Sequence, residues 1–267
     1  MADALGWRRK FAVLVPSTNT VVQPEFDGMR PQGVTNHISR IRIPNMPLAS
    51  DADFRLLVER IAAAQLEAVD SAMSCEPDHV VLGISVETFW GGREASRKLK
   101  QELEDHTALE VTMGAEACDA AFARLGVKRI AVLTPYFPVG DENVQRFFEE
   151  SGYRVARIKG LKCASPVQIA HVPPQTLRAA AEALDGDDVD AVIQVGTNLA
   201  MAGLAAQMEA ERGKPILAIN ACIYWHALRQ GGLADQVAGW GSLLQRDRKS
   251  TRLNSSHLSQ SRMPSSA

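Results

Sequence analysis

FAVLVPSTNT (residues 11–20) is a short apolar run that stops at a proline and opens into hydroxyl and amide side chains. A run without polar alternation suits a strand buried on both faces, as in a parallel sheet. The pattern returns 119 residues later, where Ala131-Val-Leu-Thr-Pro135 repeats Ala12-Val-Leu-Val-Pro16. Val80-Val-Leu-Gly-Ile-Ser85 is matched by Val192-Ile-Gln-Val-Gly-Thr197 at an offset of 112, and Ala117-Cys118 by Ala221-Cys222 at 104. Three matches in the same order indicate an internal duplication. The expected fold is α/β: two pseudo-symmetric lobes, residues 1–125 and 126–246, forming one structural unit with the active site in the cleft between them.

Short β-branched runs alternate with longer amphipathic segments, the pattern of a mostly parallel sheet flanked by helices in each lobe. Strands are predicted at 11–15, 79–85, 109–113, 129–134, 153–158, 190–196 and 215–220. Phe54, Leu57, Val58, Ile61, Leu66, Val69 and Met73 recur at three and four residues, so a helix there should turn them inward. Asp141 is placed to cap the helix that carries Val144, Phe147 and Phe148, and Pro173 and Pro174 suit the first turn of the next. Gly91-Gly92 reads as the turn before a helix over 93–105.

The 267 residues are 46% hydrophobic and 22% charged, enough for a sizeable core. With 29 basic and 31 acidic residues the formal charge is -2, which offers no general attraction to nucleic acid or an anionic membrane. No run of about 18 apolar residues occurs and the first residues lack a signal-peptide core, so a cytoplasmic protein is expected. Cys75, Cys118, Cys163 and Cys222 show neither a CxxC pair nor metal-ligand spacing, which predicts free thiols and no metal site. From Asp247 the sequence turns to DRKSTRLNSSHLSQSRMPSSA, which has no apolar periodicity and reads as a disordered tail. The same string is the translation of a sequencing-library adapter that begins GATCGGAAGAGC, so residues 247–267 are set aside from the functional reading. Without them, 25 basic and 30 acidic residues remain.

Ligands of open α/β sheets bind at the carboxyl ends of the strands, which directs attention to four turns. The first offers Ser17, Thr18, Asn19 and Thr20, and the second adds Ser85, Thr88 and Glu87. Tyr136 follows the midpoint strand, and Gly196-Thr-Asn-Leu199 sets Thr197 and Asn198 opposite Ser85 under the pseudo-symmetry. Hydroxyls and amides in this number can donate several hydrogen bonds to a carboxylate. No GxGxxG or Walker-type loop is present, so no nucleotide cofactor is expected.

VPSTNT, GISVETFWGG, LTPYFPVGDE and VGTNL, in that order, resemble the aspartate/glutamate racemase superfamily, in particular its maleate cis-trans isomerase and arylmalonate decarboxylase branch, over residues 10–245. The resemblance implies two α/β lobes around a cofactor-free site for a small carboxylate, worked by one or two cysteines. It implies that Asn19 and Tyr136 contact the substrate, with Ser85 in the pocket for a carboxylate or enediolate. The sequence departs from the family at the cysteines. Without gaps, the first-lobe cysteine falls on Val86 in the isomerase pattern and nearer Gly83 in the racemase pattern, and the second-lobe cysteine falls on Gly196.

That departure weakens two-base racemisation and thiol-mediated isomerisation and favours decarboxylation through an enediolate. Ser85, Tyr136, Thr197 and Glu87 are the candidate catalytic residues. Ser17, Asn19, Thr20, Ser85, Val86, Tyr136, Gly196, Thr197 and Asn198 are the candidate binding residues. The proton source is left open among Tyr136, Glu87, His226 and water. An isomerase with other groups in place of the thiols, or a silent carboxylate-binding module, are the competing readings. Homo-oligomerisation is the general expectation for a small metabolic enzyme.

Overall fold

The computed structural model describes residues 3–245; the adapter-like segment lies outside the described residues. The first half runs β1 (Arg9–Pro16), α1 (Val22–Met29), β2 (Val34–Ile41), α2 (Asp51–Met73), β3 (His79–Leu82), α3 (Val86–Phe89), α4 (Gly92–Thr107), β4 (Val111–Thr112) and α5 (Gly114–Leu125). The second runs β5 (Arg129–Thr134), α6 (Pro138–Glu150), β6 (Arg154–Gly160), α7 (Pro174–Leu184), β7 (Ala191–Gln194), α8 (Ala202–Arg212), β8 (Ile216–Ala218), α9 (Ile219–Gln230) and α10 (Ser242–Gln245).

Each half forms a four-stranded parallel sheet, in the orders β2-β1-β3-β4 and β6-β5-β7-β8. The two orders are the same, which is the duplication expressed as topology. Phe11 to Val15 and Ile130 to Leu133 are fully buried because helices cover both faces of these central strands.

The structure departs from the sequence expectations at identifiable places. β2 was not foreseen: VTNHISRI is mostly polar and half-buried, as an edge strand can be, and lacks the apolar run that marks β1. β3, β4, β7 and β8 are shorter than predicted, and the residues trimmed from β3 and β7, Gly83 to Ser85 and Val195-Gly196, form the turns of the cleft. Leu66 does not turn inward; it is 50% exposed, and the neighbouring Gln65 occupies the buried stripe of α2. Leu66 lies five residues after Ile61, whereas the buried stripe runs on at three and four residues through Gln65, Ala68 and Ala72, which explains the slip. Asp141 is not the cap of α6: that helix begins at Pro138, and Asp141 accepts a hydrogen bond from the Thr134 hydroxyl.

Apolar packing joins the halves at two places. Phe89 and Phe122 of the first half meet Phe147, Phe148 and Tyr153 of the second in edge-on and tilted pairs with ring centroids 5.0–5.4 Å apart. α9, although late in the chain, packs on α1, α5, β3 and β4 and delivers Tyr224 between Phe11 and Phe26. Phe148 is fully buried at this junction. We expect Phe148→Ala to lower stability by about 3–5 kcal/mol in a single denaturant transition reporting both halves, followed by tryptophan fluorescence and circular dichroism together.

Candidate active site

The strand-end turns of the two sheets converge on one cleft of about 470 Å³, open at its mouth. Its polar lining is Thr18, Asn19, Ser85, Tyr136, Thr197 and Asn198. Its apolar lining is Ile43, Phe54, Leu57, Ile61, Ile84, Val86 and Ile169, with Pro16, Pro135 and Pro166 at the turns. No cysteine and no ionisable side chain other than the Tyr136 phenol is among these residues.

Each polar group is placed by a local feature of the chain. Pro16 ends β1, and the Asn19 side chain then caps α1, its Oδ1 accepting the N–H groups of Val21 at 2.9 Å and Val22 at 3.0 Å. That leaves Asn19 Nδ2 to cross the cleft and donate to Thr197 Oγ1 at 3.2 Å. Thr197 Oγ1 donates in turn to the Gly83 carbonyl at 3.2 Å, and Thr197 N donates to Ser85 Oγ at 3.3 Å. Ser85 Oγ and the Tyr136 hydroxyl lie 2.5 Å apart. Asn198 Nδ2 donates to the Pro166 carbonyl at 2.9 Å, and Asn198 Oδ1 accepts the Thr20 N–H at 3.0 Å. The turn residues of each half are thus bonded to those of the other, as the duplication implies.

Burial pushes the Tyr136 phenol well above its ordinary value, with Glu87 and Asp141 adding to the rise against the Ser85 hydrogen bond. Tyr136 is therefore a hydrogen-bond donor at neutral pH and no base. The Ser85–Tyr136 pair spends one hydroxyl hydrogen between its two oxygens and presents the other to a ligand oxygen, while the Thr197 hydroxyl can be supplied only by giving up its bond to the Gly83 carbonyl. This donor set suits a carboxylate or an oxyanion derived from one.

Three sequence candidates do not line the cleft. Ser17 is exposed and its hydroxyl is exchanged with the backbone of Ile43; Thr20 is exposed and bonds Asn198 through its backbone. Thr18 takes the inward place in that loop. Glu87 points away from the cleft: it is buried with neither carboxyl oxygen bonded, and burial raises its pKa to about 8. His226 also lies outside the lining, and burial lowers its pKa. Phe89 and Trp225 are buried in the core, and Trp90 stacks near Phe54 without reaching the cleft lining. Phe54, Leu57 and Ile61 carry the opposite lesson, because their helical spacing read as core while they form the apolar wall of the site.

Val86 and Gly196, where ungapped matching sets the family's two thiols, both line the cleft. Gly196 has φ +112, and a Cβ there would stand 2.4 Å from Pro135 Cδ. The second thiol position is thus closed by the backbone as well as empty of sulfur. Cys118 and Cys222 sit on α5 and α9, fully buried, with burial and the Cys222 thiol raising the Cys118 pKa. Among the described residues, no group of three or more His, Cys, Asp and Glu side chains could hold a metal ion, and no helix is long and apolar enough to cross a membrane.

The family model for arylmalonate decarboxylase matches residues 12–244. The chain belongs to that family. The maleate isomerase of Pseudomonas putida is 26% identical over 245 residues, covering 86% of this chain and 95% of the relative. The arylmalonate decarboxylase of Bordetella bronchiseptica is 26% identical over 169 residues, covering 61% of this chain and 69% of the relative. Among solved structures, a cysteine-to-serine mutant of the Nocardia farcinica maleate cis-trans isomerase with a covalently bound succinylcysteine intermediate superposes with a TM-score of 0.81 at 24% identity, over 90% of this chain and 98% of that one. These relatives are enzymes of isomerase and lyase type, and so is the family of this chain.

Gly196→Ala should cost about 1–3 kcal/mol of stability, since alanine must adopt a strained φ against Pro135; urea denaturation measures it. Glu87 gives a pH test. Its folded pKa lies above the ordinary value of 4.5, so its contribution to stability is full below about pH 4.5 and is lost as the pH rises through about 8. Glu87→Gln, neutral at every pH, should lose less thermal stability than wild type between pH 5 and pH 8.5 in a buffer-matched melting series.

Proposed function

We propose that this protein decarboxylates a small malonate-type dicarboxylate bearing an apolar substituent, through an enediolate and without a cofactor. The observation that carries the reading is the make-up of the cleft: hydroxyl and amide groups at the strand ends share its lining with Ile43, Phe54, Leu57, Ile61, Ile84 and Val86, with no thiol among them. One carboxylate accepts from the Ser85–Tyr136 pair and from the Thr197 hydroxyl, which turns from the Gly83 carbonyl to reach it. The other lies against the apolar lining, where a charged group is poorly solvated and its loss as neutral carbon dioxide is favoured. The bond between the α-carbon and the departing carboxylate breaks, and its electron pair moves into the retained carboxylate as an enediolate. The Ser85 and Tyr136 hydroxyls and Thr197 offset the charge that builds there. A proton from the Tyr136 phenol or from water then reaches the α-carbon, and bulk water restores the phenol.

Maleate isomerisation is the second reading, favoured by the maleate isomerase relatives that match over most of the chain. It requires a nucleophile other than cysteine, because the cleft lining holds no thiol.

The test is a thermal-shift screen of the full chain with malonate, methylmalonate, phenylmalonate, maleate, aspartate, glutamate and hydantoins, each hit followed by NMR in deuterated water. Carbon dioxide release with deuterium at the α-carbon supports the proposal. Fumarate from maleate supports the second reading, and stabilisation without turnover sinks both in favour of a binding module. For the substrate so found, Ser85→Ala should lower kcat/KM by about 100- to 1000-fold, as for removal of one donor to a developing oxyanion, and lower stability by about 1–3 kcal/mol because the Thr197 N–H loses its acceptor.

A further inference from the structure

Glu25 lies inside α1, in the first half of the chain, yet its carboxylate bonds the second half. Oε1 accepts the Ala202 N–H at 2.9 Å, at the start of α8, and Oε2 accepts from Asn220 Nδ2 at 2.6 Å, at the start of α9. The same Asn220 Nδ2 donates to the Thr197 carbonyl at 2.9 Å. Asn220 is buried and its Oδ1 is unbonded, so both hydrogens of one amide nitrogen are committed to Glu25 and Thr197. The other polar atoms of Thr197 are held by Ser85, Gly83 and Asn19.

We propose that Glu25 is a positioning residue for the cleft: its ionised carboxylate orients the Asn220 amide, which fixes the Thr197 carbonyl and so the placement at the cleft of the Thr197 hydroxyl and of the Thr197 N–H that holds Ser85. The inference uses the carboxylate-binding reading only for its ligand measurement. The chemistry follows from donor counting. A proton on Oε2 would face the Asn220 Nδ2 donor, and turning the amide over to accept it would set Oδ1 against the Thr197 carbonyl. The first arrangement loses the hold of Glu25 on the amide, and the second loses the bond to Thr197.

Burial lifts the Glu25 pKa to about 7, opposed by the bonds from Asn220, Ala202 and Met201, so this loss falls in the neutral range. The charged groups on the packed elements are engaged elsewhere. Arg40 of β2 donates to the Asn19 carbonyl and to Gln23. Asp27 of α1 pairs with Arg30 and Asn36. Glu209 of α8 accepts from Ser242, and Arg229 of α9 donates to the carbonyls of Leu233 and Asp235. His226 of α9 is held below its ordinary pKa by burial.

The experiment is an NMR titration of the isotope-labelled full chain from pH 5.5 to 8.5, following the Thr197 amide and the Glu25 carboxyl carbon. In wild type the two should move together with a midpoint near 7. In Glu25→Gln the Thr197 amide should stay near its acid-side position at every pH, and affinity for malonate or phenylmalonate, whichever wild type binds, should fall about tenfold. In Asn220→Ala the Glu25 carboxyl should still titrate while Thr197 no longer follows. A wild-type Thr197 amide that ignores the Glu25 titration overturns the proposal, as does an Asn220→Ala chain in which Thr197 still follows it. If Thr197 and Glu25 titrate together but no carboxylate binds, the proposed function fails and this inference stands.

Discussion

Everything at the mouth of the cleft depends on the bonding of the Gly196–Asn198 turn to the opposite half of the chain. Thr197 reaches Gly83, Ser85 and Asn19, and Asn198 reaches Thr18 and Thr20. These groups are mostly buried, where an unbonded donor or acceptor costs about 1–3 kcal/mol, so the turns of the two sheets are held to one mutual geometry. The same groups that line the site therefore also fasten the halves. Groups already fixed in direction lower the ordering that binding of any ligand there would otherwise demand.

Around that polar seam the lining is apolar, and this sets the chemistry. Apolar surroundings raise the energy of a nearby carboxylate, while hydroxyl donors lower the energy of an oxyanion. The Nocardia farcinica maleate cis-trans isomerase carries a covalently bound succinylcysteine intermediate. In this chain valine and a φ-positive glycine stand where ungapped matching sets the thiols, and the remaining cysteines are committed to helix packing or lie outside the cleft lining.

Much of this was legible in the sequence, for physical reasons that also mark where legibility stopped. FAVLV and RIAVLT announce buried parallel strands because burial on both faces removes polar alternation, and their recurrence announces the second sheet. Ser85, Asn19, Tyr136, Thr197 and Asn198 were readable because turns after such strands face the ligand. β2 was not, since an edge strand keeps polar residues. Glu87 misled because an acid among Val86, Phe89 and Trp90 looks the same in sequence whether its carboxyl enters the cleft or the core. Glu25 gave no signal at all: its partners Ala202 and Asn220 come from the other half of the chain, and only the folded arrangement brings them within reach.

The seating of Tyr224 between Phe11 and Phe26 bears on how the chain is made. During synthesis the first sheet leaves the ribosome long before α9 does, at about 5–20 residues per second. Until residue 224 has emerged, β1 and α1 lack the ring that closes their core, and apolar surface meant for α9 stays open to solvent. The nascent first half is thus obliged to wait several seconds for its own last piece, a window in which a chaperone or a crowded neighbour finds the same surface.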